Sequence, residues 1–186
     1  MNSKMNSYET VAYFTSRLMF SLNNYGVSNK MYYDSNNTYV HRGIKLPLSC
    51  LLPYERAKGK IILLSGFTST SLDENQAKNF SGRNQTKEQY KTNLIFSVIY
   101  IITNHCEEKW ISNGVNIQKE SVFKKEKEVL YQPFSFYYLR DVNLDLDNYT
   151  ADIYLETIGK YEILEEKIKV GKGIKYNEKE RIMEID

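Results

Sequence analysis

Three short segments of this sequence carry residue types that could act together on a substrate. The first is Tyr39-Val40-His41-Arg42-Gly43, an arginine on an extended segment with a glycine directly after it. The second, Phe67-Thr68-Ser69-Thr70-Ser71, sets hydroxyl residues at a strand end just before a helix start. The third, Glu126-Lys127-Glu128-Val129-Leu130, has carboxylates at i and i+2 entering a strand, where a period of two puts both on one face. A guanidinium fork suits an anion with two oxygens. A carboxylate stabilises a developing cation or takes a proton. Each segment alone also has an ordinary explanation: a solvated strand arginine, a turn or N-cap cluster, and the wet face of a charged hairpin.

The elements that must hold these residues follow from periodicity and punctuation. Val11, Phe14, Leu18 and Leu22 fall at helical spacing, so residues 8–25 read as an amphipathic helix. Asn6 with Glu9 resembles a capping box, and Gly26 is expected just past the helix end. An extended segment over 38–46 stops at Pro47. The stretch KIILL (60–64) is β-like, and Asp73 is placed to cap a short helix containing Gln76, Ala77 and Phe80. Residues 81–92 are polar and read as an exposed loop, and NLIFSVIYIIT (93–103) is the strongest strand signal in the chain. Residues 104–125 read as irregular. Extended character resumes over 128–139, where Pro133 points to an edge or a bulge, and continues through DVNLDLDN, TADIYLETI and the tail as edge strands. Helix first and many strands after it give an α+β class. No internal repeat or domain boundary is visible, so residues 1–186 read as one domain.

Composition narrows the partners. Lys+Arg 25 against Asp+Glu 23 leaves a net charge of +2, which directs the chain neither to nucleic acid nor to an anionic membrane. The longest apolar run, Leu94 to Ile102, contains Ser97 and falls short of the ~20 residues of a membrane helix. Glu9 and Arg17 interrupt any apolar stretch at the N-terminus, so no signal peptide is read there, and an intracellular setting is the default expectation. Cys50 and Cys106 are too few for a disulfide framework, and with His41 and His105 they form no metal-ligand spacing; no metal is expected. Oligomeric state is not legible.

Taken together and in order, the three segments resemble the Arg–Ser–Glu class of mono-ADP-ribosyltransferases, which includes vertebrate arginine-specific ecto-enzymes and clostridial binary toxins. The match is to an arginine at the end of an early strand (Arg42), an STS strand (Ser69, Thr70, Ser71) and an ExE motif (Glu126, Glu128). The flanks FTSTSL and EKEVLYQPFSF also look like the family's own, and the likeness runs over roughly residues 38–158. It implies the ADP-ribosyltransferase fold: a helix or helices, then two packed mixed or antiparallel sheets that form an NAD cleft.

The chemistry implied is removal of nicotinamide from NAD, which is substrate here rather than resident cofactor. Glu128 matches the catalytic glutamate that faces the oxocarbenium-like ribose. Ser69 matches the residue that hydrogen-bonds that glutamate, since ~1 Å of misplacement can cost two orders of magnitude. Thr70 and Ser71 are expected to shape the strand end. Arg42 matches the pyrophosphate ligand, and Gly43 the residue that holds nicotinamide through its backbone. The family's stacking aromatic after STS falls nearest Phe80. No GxGxxG is present to support Rossmann-type NAD binding.

In relatives that modify arginine the first motif position is Glu, in those that modify asparagine it is Gln; Glu126 therefore implies a protein acceptor presenting an arginine. Phe123 lies in the loop that faces the acceptor in the family. The same site would serve an NAD glycohydrolase with water as acceptor, and the fold could also persist as a non-catalytic NAD or ADP-ribose binder. An intact Glu128 and Ser69 argue against the latter. Unlike the ecto-enzymes, the chain shows no leader, lipid-anchor signal or disulfides, which fits a catalytic domain excised from a longer protein or a short intracellular relative.

Overall fold

Residues 95–103 are β-branched and aromatic with only Ser97 interposed, and this run forms the middle of the sheet. The computed structural model describes residues 7–29, 39–84, 94–104, 114–158, 174–177 and 182–185. In chain order these are α1 (Ser7–Asn29), β1 (Val40–Pro47), α2 (Leu48–Arg56), β2 (Ile61–Leu64), β3 (Thr68–Ser71), α3 (Glu74–Ser81), β4 (Ile95–Thr103) and β5 (Val115–Asn116). A 3-10 turn (Lys124–Glu126) precedes β6 (Glu128–Tyr131), β7 (Ser135–Asp145), β8 (Thr150–Thr157), β9 (Ile174–Asn177) and β10 (Ile182–Ile185).

The main sheet has the order β2-β7-β8-β4-β1-β3-β6-β5. It is mixed, because β4 and β8 run parallel while the other neighbours are antiparallel. Its weak seam is between β1 and β3, which meet at a single pair, His41↔Ser71. By contrast β1 and β4 pair along the whole of β1, from Val40↔Ile102 to Pro47↔Ile95. Five strands therefore form one part and three the other, and the two parts diverge beyond His41. That divergence opens the cleft. Fully buried Phe96, Val98, Ile102, Leu139, Ile153 and Leu155 make the five-stranded part rigid, while Val129 and Tyr131 anchor the smaller part to the same core. β9 and β10 pair as a separate hairpin.

α3 lies against β1, and its ends are fixed by local chemistry. The Asp73 carboxylate accepts from the Asn75 N–H at 3.0 Å, and Gly82 closes the helix in the left-handed region at φ 71°. Arg83 then ties the helix end to the sheet: its Nη1 donates to Asp152 Oδ1 at 2.7 Å and its Nη2 to the Ala151 carbonyl at 3.0 Å. Close approach of α3 to β1 depends on Gly43. A Cβ there would stand 1.8 Å from the Ala77 carbonyl oxygen and 2.7 Å from the Ser81 nitrogen, both backbone atoms that cannot swing away. Gly43→Ala is accordingly expected to lose about 1–3 kcal/mol from overpacking. Thermal unfolding checks this: at roughly 2–4 °C per kcal/mol for a chain of this size, a fall of several degrees is expected.

Several local expectations need correction. α1 does not stop before Gly26 but runs through it to Asn29, with Gly26 buried; Asn6 lies outside the described residues. α2 is unanticipated: Pro47 caps it from an extended conformation and Pro53 sits within it, two residues that read as breakers. The 128–139 segment is two strands, parted by a turn at Pro133 and Phe134. Arg42 lies near the start of β1, not at its end. Glu126 is not on a strand. It closes the 3-10 turn, and Lys127 in the left-handed region (φ 47°, ψ 50°) interrupts the pleat before Glu128 begins β6. The period-of-two argument for the two glutamates therefore does not hold.

Candidate active site

β3 and β6 supply the first half of the site. Their register sets Ser69 opposite Leu130 and Ser71 opposite Glu128. Ser69 and Glu128 are thus diagonal neighbours on one face, a separation that a long side chain spans. The Ser69 hydroxyl donates to Glu128 Oε1 at 2.6 Å, a short bond of the kind made to an ionised acceptor. Thr68 and Thr70 point the other way and are buried, and Thr70 Oγ1 donates to the Val129 carbonyl at 2.7 Å. Along β3 only Ser69 is exposed; Ser71, on the same face, is itself buried.

Ser71 fixes the approach to Glu126. Its hydroxyl donates to the Glu126 carbonyl at 2.5 Å and accepts from the Asp73 N–H at 2.8 Å, joining the 3-10 turn to the start of α3. The Glu126 N–H also donates to the Phe123 carbonyl at 2.9 Å. The backbone of Glu126 is held, and its side chain faces a cleft.

β1 supplies the second half. Arg42 crosses the diverging seam, where its Nη1 donates to the Ser69 carbonyl at 3.0 Å. Among the described residues no carboxylate lies within ion-pair reach of this guanidinium. A half-buried arginine without a counter-ion, fixed by one neutral acceptor, attracts an anion that enters the cleft.

Arg42, Gly43, Ser69, Phe80 and Glu126 line one cavity of about 210 Å³, together with His41, Thr70 and Ser71. Glu128 adjoins it through the bond to Ser69. The residues singled out from sequence are therefore brought together, drawn from β1, β3, α3, the 3-10 turn and β6. Phe80 is exposed on α3, with its ring free to meet a ligand. The glycine at 43 is explained by the packing of α3, as well as by any ligand it meets.

His41 was not anticipated in the site. It sits at the one pair that joins the two parts of the sheet, and its buried Nδ1 has no hydrogen-bond partner among the described residues. Burial lowers its pKa below the ordinary histidine value, against the opposing pull of Glu74 on α3. The imidazole is thus held neutral at neutral pH, and Arg42 remains the cationic side chain of this lining. A lone histidine without ligand spacing gives no sequence signal; only its adjacency to Arg42 could have drawn notice.

Among the described residues no group of three or more His, Cys, Asp or Glu could hold a metal ion, and no helix is long and apolar enough to cross a membrane.

The family model described as NAD:arginine ADP-ribosyltransferase matches residues 1–162. No curated protein matches the chain. Among solved structures, the ADP-ribosyltransferase Vis in complex with agmatine superposes with a TM-score of 0.59 at 21% identity, over 87% of this chain and 64% of that one. The Vis toxin of Vibrio splendidus gives 0.54 at 21% identity, over 86% and 64%. The SpvB domain of Salmonella gives 0.50 at 17% identity, over 84% and 77%. The chain spans 64% of the length of both Vis structures.

Proposed function

The chain belongs to the NAD:arginine ADP-ribosyltransferase family, and on that premise we propose that it transfers ADP-ribose from NAD to an arginine of a protein acceptor and releases nicotinamide. The observation that carries this reading is the Ser69–Glu128 hydrogen bond of 2.6 Å beside an arginine that has no carboxylate partner among the described residues.

Cleavage of the bond between ribose C1′ and the nicotinamide nitrogen sends the electron pair to nicotinamide, which leaves neutral. Positive charge then develops on the ribose, and Glu128, oriented by Ser69, stabilises it. Arg42 holds the pyrophosphate. Gly43 and Phe80 border the nicotinamide, one through its backbone and the other through its ring face. A neutral His41 favours the same arrangement, since it adds no repulsion toward the cationic ring of NAD.

The acceptor is the finer part of the proposal. A guanidinium is protonated in water, so attack on C1′ needs a group that orients it and takes its proton; Glu126 is suited to both. The same choice is supported by the complex of Vis with agmatine, itself a guanidine. Incubation with labelled NAD, with and without poly-arginine or histones, tests the whole reading. Label on protein together with nicotinamide release supports it, release without label assigns water as the acceptor, and neither would leave a binding module.

Arg42 provides a second check. Arg42→Lys keeps the charge but loses the planar fork, so NAD affinity is expected to fall roughly tenfold or more, from a contact worth about 1–3 kcal/mol. Calorimetric titration of folded Arg42→Lys and Arg42→Ala with NAD measures it. Unchanged affinity in both would remove Arg42 from the site.

A further inference from the structure

α1 is apolar on two sides. Leu22 and Gly26 are buried and Leu18 half-buried, and this side of the helix rests on β5. Tyr13, Phe20 and Val27 stand on the opposite side, 57, 63 and 54% exposed. A spacing of seven drifts by only about 20° per step around a helix, so the three form one straight stripe. A helix that faces water ordinarily carries charge on its outer side. Glu9 and Arg17 are the only charged residues among the 23 of α1. We propose that this stripe pairs with the same stripe of a second copy of the chain. The two α1 helices run antiparallel about a two-fold axis at Phe20, and the product is a weak symmetric dimer.

The stripe is self-complementary. Tyr13 and Val27 lie equally far from Phe20 along the helix, on either side of it. A two-fold rotation therefore sets Phe20 on Phe20 and Tyr13 against Val27 of the second copy, large against small at both ends. Such a contact uses one patch twice and closes on itself. Charge selects the direction. Arg17 lies along the stripe: its Nε donates to the Tyr13 hydroxyl at 3.1 Å, and its guanidinium stands 5.4 Å from the centre of that ring. In an antiparallel pair it meets the exposed amide of Asn24 of the second copy, and the two Arg17 residues stand roughly 9 Å apart along the axis. A parallel pair would bring the two cations face to face.

Area sets the strength. An enclosed aromatic side chain buries ~150–250 Å², so the exposed parts of Tyr13, Phe20 and Val27 come to roughly 350–400 Å² per copy. Two copies, with Ser16, Arg17 and Asn24 beside the stripe, bring the total to about 1,000 Å², the lower limit for specific association. The pairing is therefore reversible, with a Kd of about 10–100 µM. Its period of seven also suits the shallow crossing, ~20°, of paired helices.

Sedimentation velocity of the full chain, from well below that Kd to well above it, should show a reversible shift from monomer to dimer. Phe20→Glu brings two carboxylates together on the axis and should raise the Kd by about a hundredfold or more. Its melting temperature, measured on dilute monomer, should not change, because the side chain is exposed and outside the cleft. Disulfide trapping reads the geometry in a Cys50→Ser, Cys106→Ser background. Phe20→Cys should cross-link to itself under mild oxidation, and Tyr13→Cys should cross-link to Val27→Cys when the two are mixed. A Tyr13→Cys chain that links to itself instead overturns the antiparallel arrangement. A dimer that survives Phe20→Glu uses another surface and overturns the proposal. So does a monomer at every concentration, and one that co-sediments with phosphatidylglycerol vesicles through Phe20 would assign the stripe to a lipid surface instead.

Discussion

Glu128→Gln is expected to lower nicotinamide release by roughly two to three orders of magnitude, whichever acceptor is offered, as when one transition-state stabiliser is removed. Glutamine keeps the shape of the side chain, and its carbonyl oxygen can still accept from the Ser69 hydroxyl that now stands 2.6 Å from Glu128 Oε1. What disappears is the negative charge, and only a developing cation needs it. Binding of NAD should therefore change little while kcat collapses, the pattern of an interaction made in the transition state alone. Single-turnover release of labelled nicotinamide, with a separate NAD titration, divides the two terms. A rise in Kd that accounts for the whole loss would make Glu128 a binding residue and refute its catalytic role.

The parts of the fold legible in sequence were those with strong local signals. Nine residues from Ile95 to Thr103 have β-branched and aromatic side chains on both faces, and they became the buried central strand. Asp73 fixed the start of α3 because a short carboxylate reaches the N–H two residues on. The candidate site was legible as a resemblance, although Glu126 stands in a 3-10 turn and not on the strand that its spacing from Glu128 implied.

What was missed depends on contacts between segments that are distant in sequence. Gly26 reads as a stop, yet it is buried within α1. α2 starts directly after Pro47 and contains Pro53, and burial of Leu51 helps to offset the local cost of Pro53. Lys127 in the left-handed region leaves no mark either, since no glycine or asparagine stands there to signal it. The cleft lined by Arg42 and Ser69, finally, lies where β1 and β3 meet at one pair only, a property of neither strand alone.

The turn at Lys127 sets the two glutamates apart. Because Glu126 and Glu128 do not share a strand face, they approach the ligand from separate elements and should separate by function. Glu126→Gln is expected to reduce transfer to arginine by about two to four orders of magnitude, the range for loss of a positioned proton acceptor. The same variant should keep NAD hydrolysis within about threefold of the parent, since water needs no guanidinium partner and a surface change at one cleft residue alters the remainder little. The backbone argues for a clean comparison: Ser71 and Phe123 hold residue 126 through its carbonyl and its N–H, so the turn does not depend on the carboxylate. Parallel assays of labelled protein and released nicotinamide read the ratio directly. If hydrolysis fell and transfer survived, the roles of the two glutamates would be exchanged. Small and equal losses in both assays would mean that Glu126 is the solvated residue of a charged turn, and the choice of arginine as acceptor would lose its main support within this chain.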